Sequence, residues 1–223
     1  YWEFNTENRK DEDNGGGVGD TERQQIEVLD AIVKYAHSEA VNVWLGRQVL
    51  QFGRNGTSGP FGMNAYDYPI GDFSGFSANS GRDDGLMIWG HLGGEGSMAV
   101  NYHVGLFDGS DTPSVKGEEN TRLTAGIRLN FWDDEGYNPY TGAYHNNTYY
   151  GAKDILSVSF DIINDPDGID LDPGAGVIAE DYTSMVTSFL FEKKLGNDAV
   201  ATLEAAYFDY DGGASGSGSY VRG

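Results

Sequence analysis

The sequence predicts an all-β fold, an antiparallel up-and-down sheet, on three observations. Apolar and polar residues alternate with period two through most of the chain, the mark of strands with one apolar and one wet face. No segment shows helical periodicity. The connections between alternating segments are long and short in turn. In an up-and-down meander every second connection lies at the same end, so one end is trimmed and the other elaborated. Membrane barrels sort their loops this way, and a soluble sandwich has no reason to do so. The expected fold is therefore an antiparallel up-and-down transmembrane β-barrel.

Each element follows in order. Segment 1–8 alternates and leads into 9–22, long, acidic and Gly-rich. Segment 23–36 alternates, 37–40 is short, 41–51 alternates, and 52–81 is very long. Around Arg47 the phase slips and its face stays open. Segment 82–92 and the short 93–96 precede a clean strand over 97–107, where Met98, Val100, Tyr102, Val104 and Leu106 alternate with smaller or polar residues. After the long 108–119, Leu123, Ala125, Ile127, Leu129 and Phe131 mark 122–131. The connection 133–148 is long where the pattern asks for a short one. Leu156, Val158, Phe160 and Ile162 mark 155–162, followed by the long 163–178. Segment 179–193, the short 194–198, the strand 201–207 and the Gly/Ser-rich 211–219 complete the series, and Tyr220 opens a further strand. That makes about nine strands plus the start of a tenth, of about 10 to 14 residues, which fits tilted membrane crossings of ~9–11 residues.

Composition narrows the function. Asp and Glu number 35 against 14 Lys and Arg, a net charge of −21, which argues against nucleic acid as a partner. Aromatics at 13% exclude a disordered acidic chain, and the absence of Cys excludes disulfides, thiolate metal sites and cysteine nucleophiles. Mean hydropathy is −0.47 and no apolar run reaches helical membrane length, which leaves a barrel open because its strands alternate. Tyr1–Asn5 reads as the middle of a strand, so the chain is expected to be an interior piece of a longer protein with a signal peptide. By itself such a piece would leave two unpaired strand edges.

No motif supports catalysis. Gly94–Ala99 matches a dinucleotide fingerprint but has no helix after it, and reads as a hairpin turn. His37, His91, His103 and His145 lack ligand spacing, and no nucleophile elbow occurs. No metal or other cofactor is expected, beyond weak Ca2+ at acidic loops such as Asp165, Asp167, Asp170 and Asp172. An EF-hand register fails there for want of oxygen ligands and a closing Glu. Tyr35, Phe107, Phe131, Phe189, Phe191 and Tyr207 stand near strand ends on the apolar face, where interfacial girdles would use them. Opposite that face lie Lys34, Arg122, Arg128, His103, Asp30, Asp161 and Glu204. In a barrel these line the lumen, where charge sets ion selectivity.

Leu29–Tyr35, Leu45-Gly46-Arg47, Gly81–Leu86, Gly105–Gly109 and Thr148–Leu156 resemble, in order, stretches of the phosphate-selective porin O/P family of Gram-negative outer membranes. The resemblance runs across about 30–210. It implies a homotrimer of barrels of about 16 strands, set in outer-membrane lipid and lipopolysaccharide. It also implies that 52–81 is the constriction loop folded into the lumen. Here that segment holds Arg54 as its only base, beside the acids Asp67 and Asp72, with no Lys. The expectation is therefore an outer-membrane porin passing small polar or ionic solutes, not an enzyme, with weak charge selectivity. A secreted β-sandwich binding carbohydrate or calcium, and a barrel-anchored structural envelope protein, are the alternatives.

Overall fold

A computed structural model of the chain describes residues 2–9, 23–54, 81–94, 98–109, 121–137, 148–170, 179–196, 199–212 and 216–222. They form ten strands: β1 (Trp2–Arg9), β2 (Arg23–Ala36), β3 (Asn42–Val49), β4 (Arg82–Leu92), β5 (Ala99–Phe107), β6 (Arg122–Asn130), β7 (Ile155–Asp170), β8 (Ala179–Leu195), β9 (Ala199–Asp211) and β10 (Gly216–Arg222). All belong to one antiparallel sheet in the order β1 to β10, so every strand pairs with its neighbours in sequence. This is the up-and-down meander that the alternation predicts.

Three differences from the sequence expectation matter most. Strand β7 continues to Asp170 across a register irregularity between Asp165 and Ile169, so 163–170 is strand and not loop. Asp165 and Asp170 thus sit in β7, outside any open acidic loop, and Asp172 lies outside the described residues. Strand β10 begins at Gly216, within the segment expected as loop. The connection between β6 and β7 runs from 131 to 154, longer still than its sequence suggests.

The sheet is curved, and geometry requires it. Phe52, three residues beyond the end of β3, packs on Phe208 of β9 with ring centroids 6.5 Å apart. Strands six places apart in a flat sheet would be about 29 Å apart at ~4.8 Å each, while three residues reach only about 10 Å. The sheet therefore bends toward the face that carries Phe52 and Phe208. Inside the bend Phe52 joins Leu50, Ile32, Trp44, Met87, Trp89, Phe107, Ile163, Val186 and Phe208 in an apolar cluster. Phe107 belongs to this inner cluster and not to the outer aromatic stripe. It stands one residue past Leu106 and so takes the opposite face.

Burial along the strands is the reverse of that in a water-soluble sheet. The apolar face is exposed: Val33 is 69% accessible, Leu45 53% and Leu106 51%, with Leu123, Ile127, Phe160 and Tyr207 beside them. The polar face is covered: Arg122 and Glu204 are 1% accessible and Asp165 0%, along with Thr124, Asn130, Ser157, Ser184 and Ser188. Among the described residues, charges on the exposed face lie only near strand ends. Arg47, Asp84, Asp181, Asp209 and Asp211 stand toward the elaborated end and Lys193 toward the trimmed one. From Met185, which pairs with Asp209, to Lys193 is about 26 Å along the strand at ~3.3 Å per residue, or about 19 Å at a 45° tilt, against the ~25 Å apolar band of outer-membrane barrels. The open question of Arg47 is answered: it faces outward and holds Asp84 through Nη2 at 2.8 Å.

Candidate functional site

The covered concave face gathers most of the residues that the alternation places opposite the apolar stripe. Asp30, Arg122, Arg128, His103, Asp161 and Glu204 are all buried on it, and Lys34 is half-buried with its ammonium 4.0 Å from the centre of the Trp44 ring. Arg54 is there too, whereas Asp67 and Asp72 lie outside the described residues, as does most of the expected constriction loop.

Toward the elaborated end, Arg122 is fully engaged. Its Nη1 donates to Asp83 Oδ2 at 2.6 Å, and its Nε and Nη2 donate to Asp165 Oδ2 at 3.1 and 2.6 Å. Arg82 similarly donates to Asp30 through Nε at 3.0 Å. Arg122, one of the residues expected to line a lumen, is thus paired with two carboxylates. The bridging carboxylates come from β7, which pairs with β6, and from β4, two strands away on the other side. Asp165 is correspondingly held against Arg122 within the sheet.

Midway along the strands the chain folds two segments into the concavity from opposite ends. Residues 50–54 enter from the elaborated end after β3, with Leu50 N donating to Gly81 O at 2.8 Å. Residues 131–137 and 148–154 enter from the trimmed end. They meet at Arg54, whose Nη1 and Nη2 donate to Glu135 Oε2 and Oε1 at 2.8 and 2.6 Å, with both side chains at most 1% accessible. Arg54 also donates to Ser157 Oγ, and Tyr149 donates its hydroxyl to Glu135 at 2.7 Å. Burial by itself works against the Arg54 charge, but Glu135 more than offsets it and holds the guanidinium above its ordinary range. Burial and the Glu135 charge push the Tyr149 phenol up, so it remains a donor at neutral pH.

Beside this pair, Gly53 N donates to Asp161 at 3.2 Å, and His103 Nε2 lies 3.9 Å from the same carboxylate. Gly126 makes that pairing possible: a Cβ there would collide with both Asp161 and His103. Arg128 is within electrostatic range of Arg54, Glu135 and Asp161, yet its Nε and Nη1 donate to nothing.

The segment from the trimmed end is anchored by Glu192 of β8. Its carboxylate accepts from Thr148 Oγ1 at 2.8 Å, Tyr149 N at 3.0 Å, Gly151 N at 2.9 Å and Thr202 Oγ1 at 3.1 Å. On the other arm, His91 Nε2 lies 3.0 Å from Asp134, and Lys153 donates to the carbonyls of Asp134 and Glu135 at 2.6 and 3.1 Å. Tyr137 stacks on His91 and packs on Trp89. Glu135, Glu192 and Tyr149 are the functional candidates that sequence reasoning missed. Their one signal was the anomalous length of 133–148.

On the exposed face the trimmed end carries aromatics: Tyr35, Phe131, Trp132 and Phe191, with Trp132 edge-on to Phe191 at 5.5 Å and Lys193 5.1 Å above Trp132. Among the described residues no group of three or more His, Asp or Glu is arranged to hold a metal ion. No family model, curated protein or solved structure matches the chain.

Proposed function

We propose that the chain forms part of the wall of an outer-membrane porin, a water-filled channel for passive diffusion of small polar or ionic solutes. One observation carries the reading: the sheet exposes its apolar face and encloses its charged one. A soluble sheet with the same alternation would do the opposite, because apolar area in water costs about 25 cal/mol per Å². A face bearing Val33, Leu45, Val104, Leu106, Leu123 and Ile127 in contiguous rows suits lipid. The β-sandwich alternative needs the apolar face packed inside, against a second sheet. The aromatic and Lys193 border at the trimmed end fits a membrane interface, with that end facing the periplasm and the long connections outside.

On this reading the enclosed face provides the path. Carboxylates, guanidiniums and hydroxyls there replace part of a solute's hydration, while the apolar exterior keeps the field of each fixed charge inside the lumen. Because Arg122, Arg82 and Arg54 are each paired with a carboxylate, most lumen charge cancels locally, which supports weak charge selectivity. The family resemblance, the trimer and the outer-membrane location are proposals on the same footing. The test is single-channel recording of the full-length protein in planar bilayers, with detergent removal in parallel. Stepwise ohmic conductance and aggregation without detergent are expected. A protein that stays monodisperse in plain buffer and does not conduct would end the reading.

A further inference from the structure

We infer that residues 131–137 and 148–154 form a strap across the trimmed mouth of the channel and narrow it there. The inference rests on the porin reading and adds to it an element that limits flow, at the end opposite the one from which 50–54 enters. Where the two stretches touch the sheet is what carries it. On one side Tyr137 packs on Trp89 and stacks on His91 of β4, and Gly136 O accepts from Asn101 Nδ2 of β5 at 3.4 Å. On the other, Glu192 of β8 accepts from Tyr149 N and Gly151 N, and a Cβ at Gly151 would collide with Val200 of β9. Each of these sheet residues lies within three positions of the trimmed end of its strand, about 10 Å at ~3.3 Å per residue. Together they reach from β4 to β9, five strand spacings, or about 24 Å along the sheet at ~4.8 Å each.

The strap is packed on the enclosed side and fixed in place. Where it meets Arg54, the Arg54 and Glu135 side chains are 1% and 0% accessible, so that junction is closed to water. A solute at the trimmed mouth must therefore pass the strap on its other side, and a layer packed on a sheet takes about 10 Å from the width. Lys153 joins the two stretches by donating to the carbonyls of Asp134 and Glu135. Tyr150 has a φ of 53°, a left-handed backbone rare outside glycine, and its N donates to Thr148 Oγ1 at 3.2 Å. Such a conformation persists where its surroundings over-determine it, and the Glu192 carboxylate does so by holding the residues on both sides. Tyr150 itself is 78% accessible and Ala152 is exposed, so both face water and not the wall.

This chain has no Cys, so an introduced thiol has no competitor within it. The experiment is single-channel recording of the full-length Tyr150→Cys, Ala152→Cys and Lys193→Cys variants, before and after a trimethylammonium methanethiosulfonate reagent, with mass spectrometry to count the label. Labelling of Tyr150→Cys and Ala152→Cys should lower conductance roughly 1.5- to 2-fold, because a bulky cation in a narrow mouth fills cross-section and repels cations. Labelled Lys193→Cys, at the same end but on the exposed face, should conduct as before. If one strap variant does not insert, the other decides. Labelled strap thiols with unchanged conductance, strap thiols that do not react in a conducting channel, or an equal fall for Lys193→Cys overturn the strap and leave the porin reading in place. Absence of conductance in every variant and in the wild type overturns the porin reading itself.

Discussion

Arg122 and Arg128 lie on the same strand, on the same face, six positions apart, and both are buried. Their surroundings differ completely. Arg122 has Asp83 on one side and Asp165 on the other, and three of its nitrogens donate to carboxylates. Arg128 pairs across the sheet with Asn101 and Ser159, neither of them acidic, and leaves Nε and Nη1 without an acceptor. One arginine ties strands together; the other stands on the enclosed face with two nitrogens that donate to no acceptor. Strand position alone treats them as equal, and the neighbours across the sheet separate them.

Substitution can break this contrast, and the largest effect belongs to the paired residue. Arg122→Ala leaves Asp83 and Asp165 buried without their partner and should cost about 3–5 kcal/mol of stability, read as the urea midpoint of the full-length protein folded in phospholipid vesicles. Its reversal potential should move little compared with its stability. An unchanged midpoint would show that Arg122 is not a strand tie.

The next effect tests the two faces against each other. Ile127→Arg places a charge one residue from Arg128 but on the exposed face, where mid-bilayer arginine costs about 2–4 kcal/mol. The same measurement should show that loss. Wild-type stability for this variant would mean that the exposed face does not meet hydrocarbon.

Arg128→Ala sharpens the comparison from the other side. It removes a guanidinium whose Nε and Nη1 have no acceptor, and it should cost no more than about 1 kcal/mol, the scale of one net hydrogen bond. Bilayer recordings should nonetheless show a clear shift of reversal potential toward cations. A collapse in stability as large as that of Arg122→Ala would erase the distinction.

Smallest of all is Arg47→Ala. The Arg47–Asp84 pair is partly exposed at the edge of the apolar band, and pairs of that kind contribute about 0–1 kcal/mol. Neither the urea midpoint nor the reversal potential should move measurably. A large change in either would make the pair a structural or selectivity element and move the border of the apolar band.

The strands were legible because period-two alternation is local: Leu123 to Leu129 and Leu156 to Ile162 declare their faces within one segment. The assignment of Arg128, Asp161 and Glu204 to the enclosed face followed from the same phase. Phe107 was misplaced because its aromatic character suggested the outer stripe while its phase put it inside. Asp165 was misread because an acidic stretch containing Pro166 and Gly168 looks like a loop, and an irregularity lets β7 absorb it. Neither Glu135 nor Glu192 was legible, since their meaning depends on partners 81 positions away at Arg54 and 44 away at Thr148.

By itself the sequence determined that this chain is a meander of strands with one apolar and one charged face, sorted into a trimmed and an elaborated end. Those features depend only on neighbours in the chain and on the two-residue repeat of extended backbone. Tertiary structure decided that the charged face lies inside, that Arg122 is neutralised and Arg128 is not, and that Arg54 meets Glu135. Enclosure and the Arg54–Glu135 pair depend on curvature and on the segments folded into it, while the two arginines depend on which residues stand on the strands beside them. A single strand's pattern carries no record of what will stand across from it.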